Sequence, residues 1–171
     1  MKTRDEFGKM LNGGYGIELG VSGGEFSKQL LKTSDLKILF SVDRWSTEIG
    51  VPHDYNQYLD AKSELKMFGN RSVVLMLLFN EAVDLFQDGI FNFIYIDGDA
   101  STGQEDGNTI EEWWPKLKTG GIFGGHDYCD HYSKTKEQVD KFVIRHNVQL
   151  LTTDEEPNRD TRIFPSWYCI K

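Results

Sequence analysis

Apolar residues in this chain fall into short continuous runs separated by segments in which they recur every three or four positions, and the two rhythms alternate for most of its length. Such alternation predicts buried strands and amphipathic helices in βα order. Residues 15–19, 36–42, 72–78, 91–96 and 120–125 read as strands. Between them, Phe26, Leu30 and Leu31, then Tyr58, Ala61, Leu65 and Phe68, then Val83 and Phe86, then Ile110, Trp113, Trp114 and Leu117 stand at helical spacing. A short leading helix carries Phe7, Met10 and Leu11, and a late one carries Val139, Phe142 and Val143. Gly69-Asn70 closes the second of the inter-strand helices, as a left-handed C-terminal residue does. The tail changes character, because 148–151 and 167–170 read as two strands joined by a loop rich in Asp, Glu, Pro and Asn, which is a hairpin signal. Seven strands result, five in βα alternation and the last two antiparallel.

Right-handed crossovers make the five alternating strands parallel, so their carboxyl ends open on one edge, where open α/β sheets bind ligands. Two of those ends are chemically loaded: Asp97-Gly98-Asp99 and His126-Asp127-Tyr128. The first strand runs into glycines at 20, 23 and 24 and then into a helix. Gly20 and Gly24 let the backbone approach a ligand without Cβ obstruction, and the helix start aims free N–H groups at it. The spacing is not that of a dinucleotide-binding G-x-G-x-x-G loop, and Glu25 would repel a pyrophosphate, which argues against a nicotinamide dehydrogenase. The loop suits a ligand bearing a carboxylate and an amine, with Glu18 as an anchor for the amine. Asp43 ends the second strand, where an acid accepts hydrogen bonds from ribose hydroxyls.

Asp97, His126 and Asp127 offer oxygen and imidazole ligands to a divalent ion, with room left for water and substrate oxygens as Mg²⁺ prefers. An ion there acidifies and orients a bound hydroxyl, whose proton Asp99 or His126 takes. The competing structural reading has Asp99 capping the next turn and His126 hydrogen-bonded at a strand end. Trp113 and Trp114 share a helical face and read as sheet-covering residues. Cys129, beside the acids, has no adjacent base to make it a nucleophile.

A formal charge of −8 argues against general binding to nucleic-acid phosphates, which requires clustered Lys and Arg. The 171 residues suit one domain spanning 1–171, and no apolar run approaches the ~20 residues that span a bilayer. The charged start lacks the apolar stretch of a secretion signal, so a soluble cytoplasmic protein without a membrane partner is expected. Cys129 and Cys169 form no C-x-x-C pair and are expected as reduced thiols.

With these residues assembled, the chain resembles the class I S-adenosylmethionine-dependent methyltransferases, and among them the small O-methyltransferases, the macrocin-type sugar enzymes more than the catechol type. Residues 16–27, Gly-Ile-Glu-Leu-Gly-Val-Ser-Gly-Gly-Glu-Phe-Ser, resemble the motif that approaches the methionine part of the cofactor. Ser41-Val-Asp-Arg-Trp resembles the second motif, which implies that Asp43 holds the ribose and Trp45 flanks the adenine. Tyr95-Ile-Asp-Gly-Asp and Gly121-Ile-Phe-Gly-Gly-His-Asp-Tyr resemble the two metal strands. They imply Asp97, His126 and Asp127 as the metal site, Asp97 also bordering the cofactor, and Asp99 as general base. Three places depart from the pattern. His126 stands where relatives more often have an acid, Ala100 replaces a histidine, and Phe79-Asn80 replaces a small Gly-x-Ser turn. Phe79 would then cover the adenine and Asn80 hydrogen-bond its exocyclic amine.

The resemblance implies a Rossmann-like seven-stranded sheet of order 3-2-1-4-5-7-6 with the last strand antiparallel and helices on both faces. It also implies methyl transfer to a hydroxyl of a small molecule, a sugar or other polyol, assisted by Mg²⁺ or another divalent ion. The chain is short for this group, which leaves a homo-oligomeric partner to help shape the acceptor pocket. Two rival readings stand beside this one. A non-catalytic protein that binds or sequesters S-adenosylmethionine is favoured by Ala100 and Phe79, and a related metal-dependent enzyme would act on a different acceptor.

Overall fold

The computed structural model describes residues 1–46, 53–155 and 163–171. The elements follow the hydrophobic rhythm closely. A 3-10 turn at Arg4–Glu6 leads into α1 (Phe7–Met10), then β1 (Tyr15–Leu19), α2 (Glu25–Thr33), β2 (Ile38–Asp43), α3 (Tyr55–Leu65), β3 (Ser72–Met76) and α4 (Phe79–Val83). The second half holds β4 (Phe91–Ile96), a one-turn element α5 (Gly103–Asp106), α6 (Asn108–Trp113), β5 (Leu117–Gly125), α7 (Ser133–His146), β6 (Leu151–Thr152) and β7 (Trp167–Ile170). One seven-stranded sheet results, in the order β3-β2-β1-β4-β5-β7-β6. The first five strands are parallel to one another, and β7 runs antiparallel to both β5 and β6. The expected fold and strand order are both present.

Apolar clusters on the two faces explain why the parallel strands are almost continuously apolar. One face packs Ile17, Leu19, Ile94 and Phe123 beneath Trp113, Val139 and Phe142. The other packs Phe93, Tyr95 and Leu39 beneath Phe7, Phe26, Leu30 and Leu31. Trp113 is fully buried, and Trp114 meets Phe123 and Phe142 edge-on at 5.4 and 5.1 Å, so both cover the sheet.

Departures from the expected boundaries have local causes. Pro115 supplies no N–H, and α6 gives way at Trp114 to a 3-10 turn, so Leu117 opens β5 rather than ending the helix. β3 stops at Met76, two residues early, because Leu78 begins α4 in extended backbone and Glu81 bonds back to its N–H. β6 is shorter and later than expected, and residues 156–162 of the predicted loop before β7 lie outside the described residues. Among the described residues no helix is long and apolar enough to cross a membrane.

Register is what assembles the site. Leu19 pairs with Val42 on one side and Ile96 on the other, and Ile96 pairs with Gly125. The next residue on each strand therefore falls in one row across the carboxyl edge: Asp43, Gly20, Asp97 and His126. Backbone bonds stitch that row together, with the Gly20 N–H donating to Val42 O (2.8 Å), Asp97 N–H to Leu19 O (2.7 Å) and His126 N–H to Ile96 O (3.0 Å).

Candidate functional site at the strand ends

The β1–β2 half of the row is built around a nearly buried carboxylate. Asp43 is 3% exposed, and its Oδ2 accepts from the backbone N–H of Val21 (2.8 Å) and Ser22 (3.0 Å). His53 Nδ1 lies 2.6 Å from the same oxygen, while Oδ1 accepts one long bond from Trp45 N–H at 3.3 Å. Burial works against ionisation of Asp43, but the His53 contact and the two loop amides outweigh it and its pKa is lowered; the same contact raises that of His53. Gly20 has a φ of +95°, and a Cβ there would lie 1.9 Å from the carbonyl oxygen of Asp97. Only glycine lets this loop cross the end of β4 so closely. Gly24 begins α2 against Ala61 and spends its N–H on Val21 O (2.9 Å), so that amide is not free to greet a ligand.

Glu18 does not sit where an amine anchor is expected. It is 1% exposed beneath the loop, bonded by the Ser27 hydroxyl, which also contacts Ser41 Oγ at 2.7 Å. Burial drives its pKa up to about 8, so at neutral pH it is mainly a neutral acid. A neutral carboxyl directed into the core has no charge to offer an ammonium group.

Trp45 requires a second correction. At 1% exposure it packs with Val21, Ala61 and Tyr58, and its indole N–H donates to Ser22 O at 2.9 Å. The ring supports the glycine loop from behind and presents no open face to adenine. Phe79 lies nearer the edge: a Cβ on Gly98 would be 2.7 Å from its ring, so it lies against the turn that follows β4. Asn80 is exposed in the first turn of α4.

The β4–β5 half gathers charge from farther apart. Asp97, His126 and Asp127 place one ligand atom each within 4.8 Å of the others. His126 Nδ1 lies 3.0 Å from Asp127 Oδ1 and 3.5 Å from Asp97 Oδ1. The second oxygen of Asp97 is held by Arg4 Nη1 at 2.8 Å. Burial would lower the histidine's pKa, yet the Asp127 and Asp97 contacts lift it to about 9. Asp97 is lowered despite its burial, by His126 and then Arg4. Both carboxylate contacts favour the protonated imidazole, which works against His126 as the base the sequence allowed. Asp127 adopts a φ of +61°, which turns its carboxylate back toward the imidazole.

Asp99 is exposed and outside this cluster. Ser101 Oγ donates to its Oδ1 at 3.1 Å, and its carbonyl accepts from Thr102 Oγ1 and Gln104 N–H, which is the turn-capping arrangement. Ala100 is buried, its carbonyl tied to Thr135 Oγ1 of α7 at 2.8 Å. Both cysteines are free and buried, and burial pushes the Cys169 thiol up to about 12.

Two residues of the site were not foreseen. His53 lies ten positions beyond its partner, and Arg4 lies 93 positions before its own. The only sequence signal for Arg4 is a cation just ahead of a predicted helix, which is common on surfaces. A surface cavity of about 190 Å³ between α6 and α7 and another of about 680 Å³ beside α3 and β3 are not lined by residues of the row.

Residues 17–128, well over half of the chain, match the sequence profile of a family described as a methyltransferase domain. No curated protein sequence matches the chain. Among solved structures it is similar to an O-methyltransferase from Bacillus cereus in complex with SAH, with a TM-score of 0.74 and 12% identity over 98% of this chain and 80% of that one. It is also similar to a SAM-dependent O-methyltransferase from Thermotoga maritima (TM-score 0.68, 14% identity, 98% and 64% covered). A precorrin-6y C5,15-methyltransferase from Geobacter metallireducens matches as well (TM-score 0.67, 12% identity, 96% and 83% covered). At such identities the likeness is one of fold, and the same sheet serves differently named methyltransferases.

Proposed function

The chain belongs to the methyltransferase-domain family, and from that premise we propose that it transfers the methyl group of S-adenosylmethionine to a hydroxyl oxygen of a small molecule, a sugar or other polyol. The observation that carries this reading is the row Asp43, Gly20, Asp97 and His126, which lies where the strand order reverses on either side of β1, the ligand crevice of open α/β sheets.

The cofactor supplies an electrophilic methyl on a sulfonium. Its ribose is assigned to Asp43 Oδ1, which bears one long hydrogen bond among the described residues, while the Val21 and Ser22 amides hold the carboxylate in place. Phe79 and Asn80, at the start of α4, are assigned to the adenine. Asp97, kept ionised, is assigned to the cationic end in place of Glu18. Asp99, the exposed carboxylate beside this end, takes the acceptor's proton. Alignment of acceptor oxygen, methyl and sulfur is the main task left to the protein.

A divalent ion, where bound, would supply a fixed positive charge for the acceptor oxygen. Asp97, His126 and Asp127 fit such an ion by spacing and by donor type, the imidazole favouring a transition ion such as Mn²⁺ over Mg²⁺.

Calorimetric titration with S-adenosylmethionine and S-adenosylhomocysteine, followed by a screen of hydroxylated acceptors for S-adenosylhomocysteine formation, tests the proposal. Micromolar binding with turnover on a sugar or polyol is expected. Binding without turnover on any acceptor would support a sequestering protein, favoured by the inward-turned Ala100, and no binding would overturn the cofactor assignment.

A further inference from the structure

The carboxylate that any cation at the β4–β5 edge must use is already held by a cation of the chain itself. Arg4 Nη1 is 2.8 Å from Asp97 Oδ2, leaving only Oδ1 turned toward His126 and Asp127. The arginine is held in place by more than this contact. Its guanidinium lies 4.9 Å from the Phe26 ring centroid, a cation–π distance, and Tyr95 lies beside it, fixed through its hydroxyl to Ser166 at 2.7 Å. Three residues on, Phe7 is fully buried among Phe93, Tyr95 and Tyr168 at centroid distances of 5.7, 5.5 and 5.4 Å, which fixes the register of the leading segment over the sheet. An ion bound through Asp97 therefore meets either a competitor for Oδ2 or a like charge on the opposite oxygen of the same carboxylate.

We propose that Arg4 is a tethered cation that competes with a divalent metal for Asp97, so that metal enters the Asp97–His126–Asp127 set only as the Arg4 contact is released. The 3-10 turn and α1 then act as a cover whose position depends on what neutralises Asp97: closed on the acid without metal, loosened with it. This rests on reading the three side chains as a cation site and not on the identity of the acceptor.

The test is Mn²⁺ binding to cofactor-free protein, followed by electron paramagnetic resonance of the free ion, for wild type, Arg4→Met and Arg4→Met/Asp97→Asn. Met keeps the packing against Phe26 while removing the charge. Arg4→Met is expected to bind Mn²⁺ about tenfold more tightly than wild type or better, and adding Asp97→Asn should abolish the gain. Unchanged or weaker affinity in Arg4→Met, a gain that survives Asp97→Asn, or no binding in any of the three would each overturn the proposal. A second measurement needs no variant: in wild type, saturating Mn²⁺ should speed amide hydrogen exchange across residues 4–10, and unchanged exchange would contradict the release. Neither assay contains the cofactor, so failure here is separate from failure of the methyl-transfer reading, which is judged by cofactor binding.

Discussion

Asp43 and Asp97 flank Gly20 in the same row, each facing one imidazole, yet their remaining partners differ in kind. Besides His53, Asp43 is held by backbone amides of the loop after β1, donors whose place follows from the strand register and the glycine at 20. Asp97 is held by side chains, Arg4 from the leading segment and His126 from the end of β5. The first arrangement is rigid and suits a ligand that is always the same. The second depends on rotatable groups from distant parts of the chain and can be rearranged when a ligand or ion arrives.

The largest expected effect falls on the adjustable side and on rate alone. Asp99→Asn should lower kcat by roughly 10² to 10⁴-fold with cofactor affinity unchanged, as loss of a general base does. Retained kcat in a single-turnover assay would leave Asp99 only its turn-capping role.

On the fixed side, Glu18→Gln should show a strong pH signature. A carboxyl whose folded pKa is raised contributes most below its ordinary value of 4.5 and loses that contribution as pH rises through about 8. The stability of the variant relative to wild type should therefore improve between pH 5 and 9, by roughly 4 kcal/mol. Parallel denaturation curves at both ends of that range would expose a charged Glu18.

Asp97→Asn should cost roughly 2 kcal/mol of stability near neutral pH, since it leaves Arg4 and His126 without their shared counter-charge in a mostly buried setting. Urea unfolding of the variant measures this, and a loss smaller than that of an average surface substitution would mean the network is only electrostatic decoration.

The smallest effect belongs to His53→Gln. The lowered Asp43 contributes above the ordinary carboxylate range and loses that contribution as pH falls through its folded value. The raised His53 contributes below 6.5 and loses it as pH rises through its own folded value. The pair is thus most stabilising between those limits. With His53 more than a third exposed, solvent screening keeps it to about 1 kcal/mol or less. Thermal midpoints of wild type and variant should converge at both acid and alkaline pH.

Much of this architecture is legible in the linear pattern because it is local. Strand runs ending in Asp43, Asp97 and His126-Asp127 are visible as runs, and register follows once the strands are parallel neighbours. What was not legible depends on direction or on distance. Glu18 and Trp45 stand at the positions where ligand contacts are expected, but Ser27, itself in contact with Ser41, draws one inward and Val21, Ala61 and Tyr58 bury the other. No spacing rule distinguishes an inward from an outward side chain at the last residues of a strand fully covered on both faces. Arg4 is invisible for a different reason, since its meaning arises only when α1 docks Phe7 on β4 and carries the guanidinium to a partner 93 positions away.

The central claim, that the row at the strand ends is a cofactor site, is tested most directly by calorimetric titration of S-adenosylhomocysteine into wild type and Asp43→Ala. Micromolar binding by wild type, weakened by about tenfold or more in the variant through loss of the ribose hydrogen bonds, is the predicted result. No binding by wild type, or equal binding by both proteins, would contradict it.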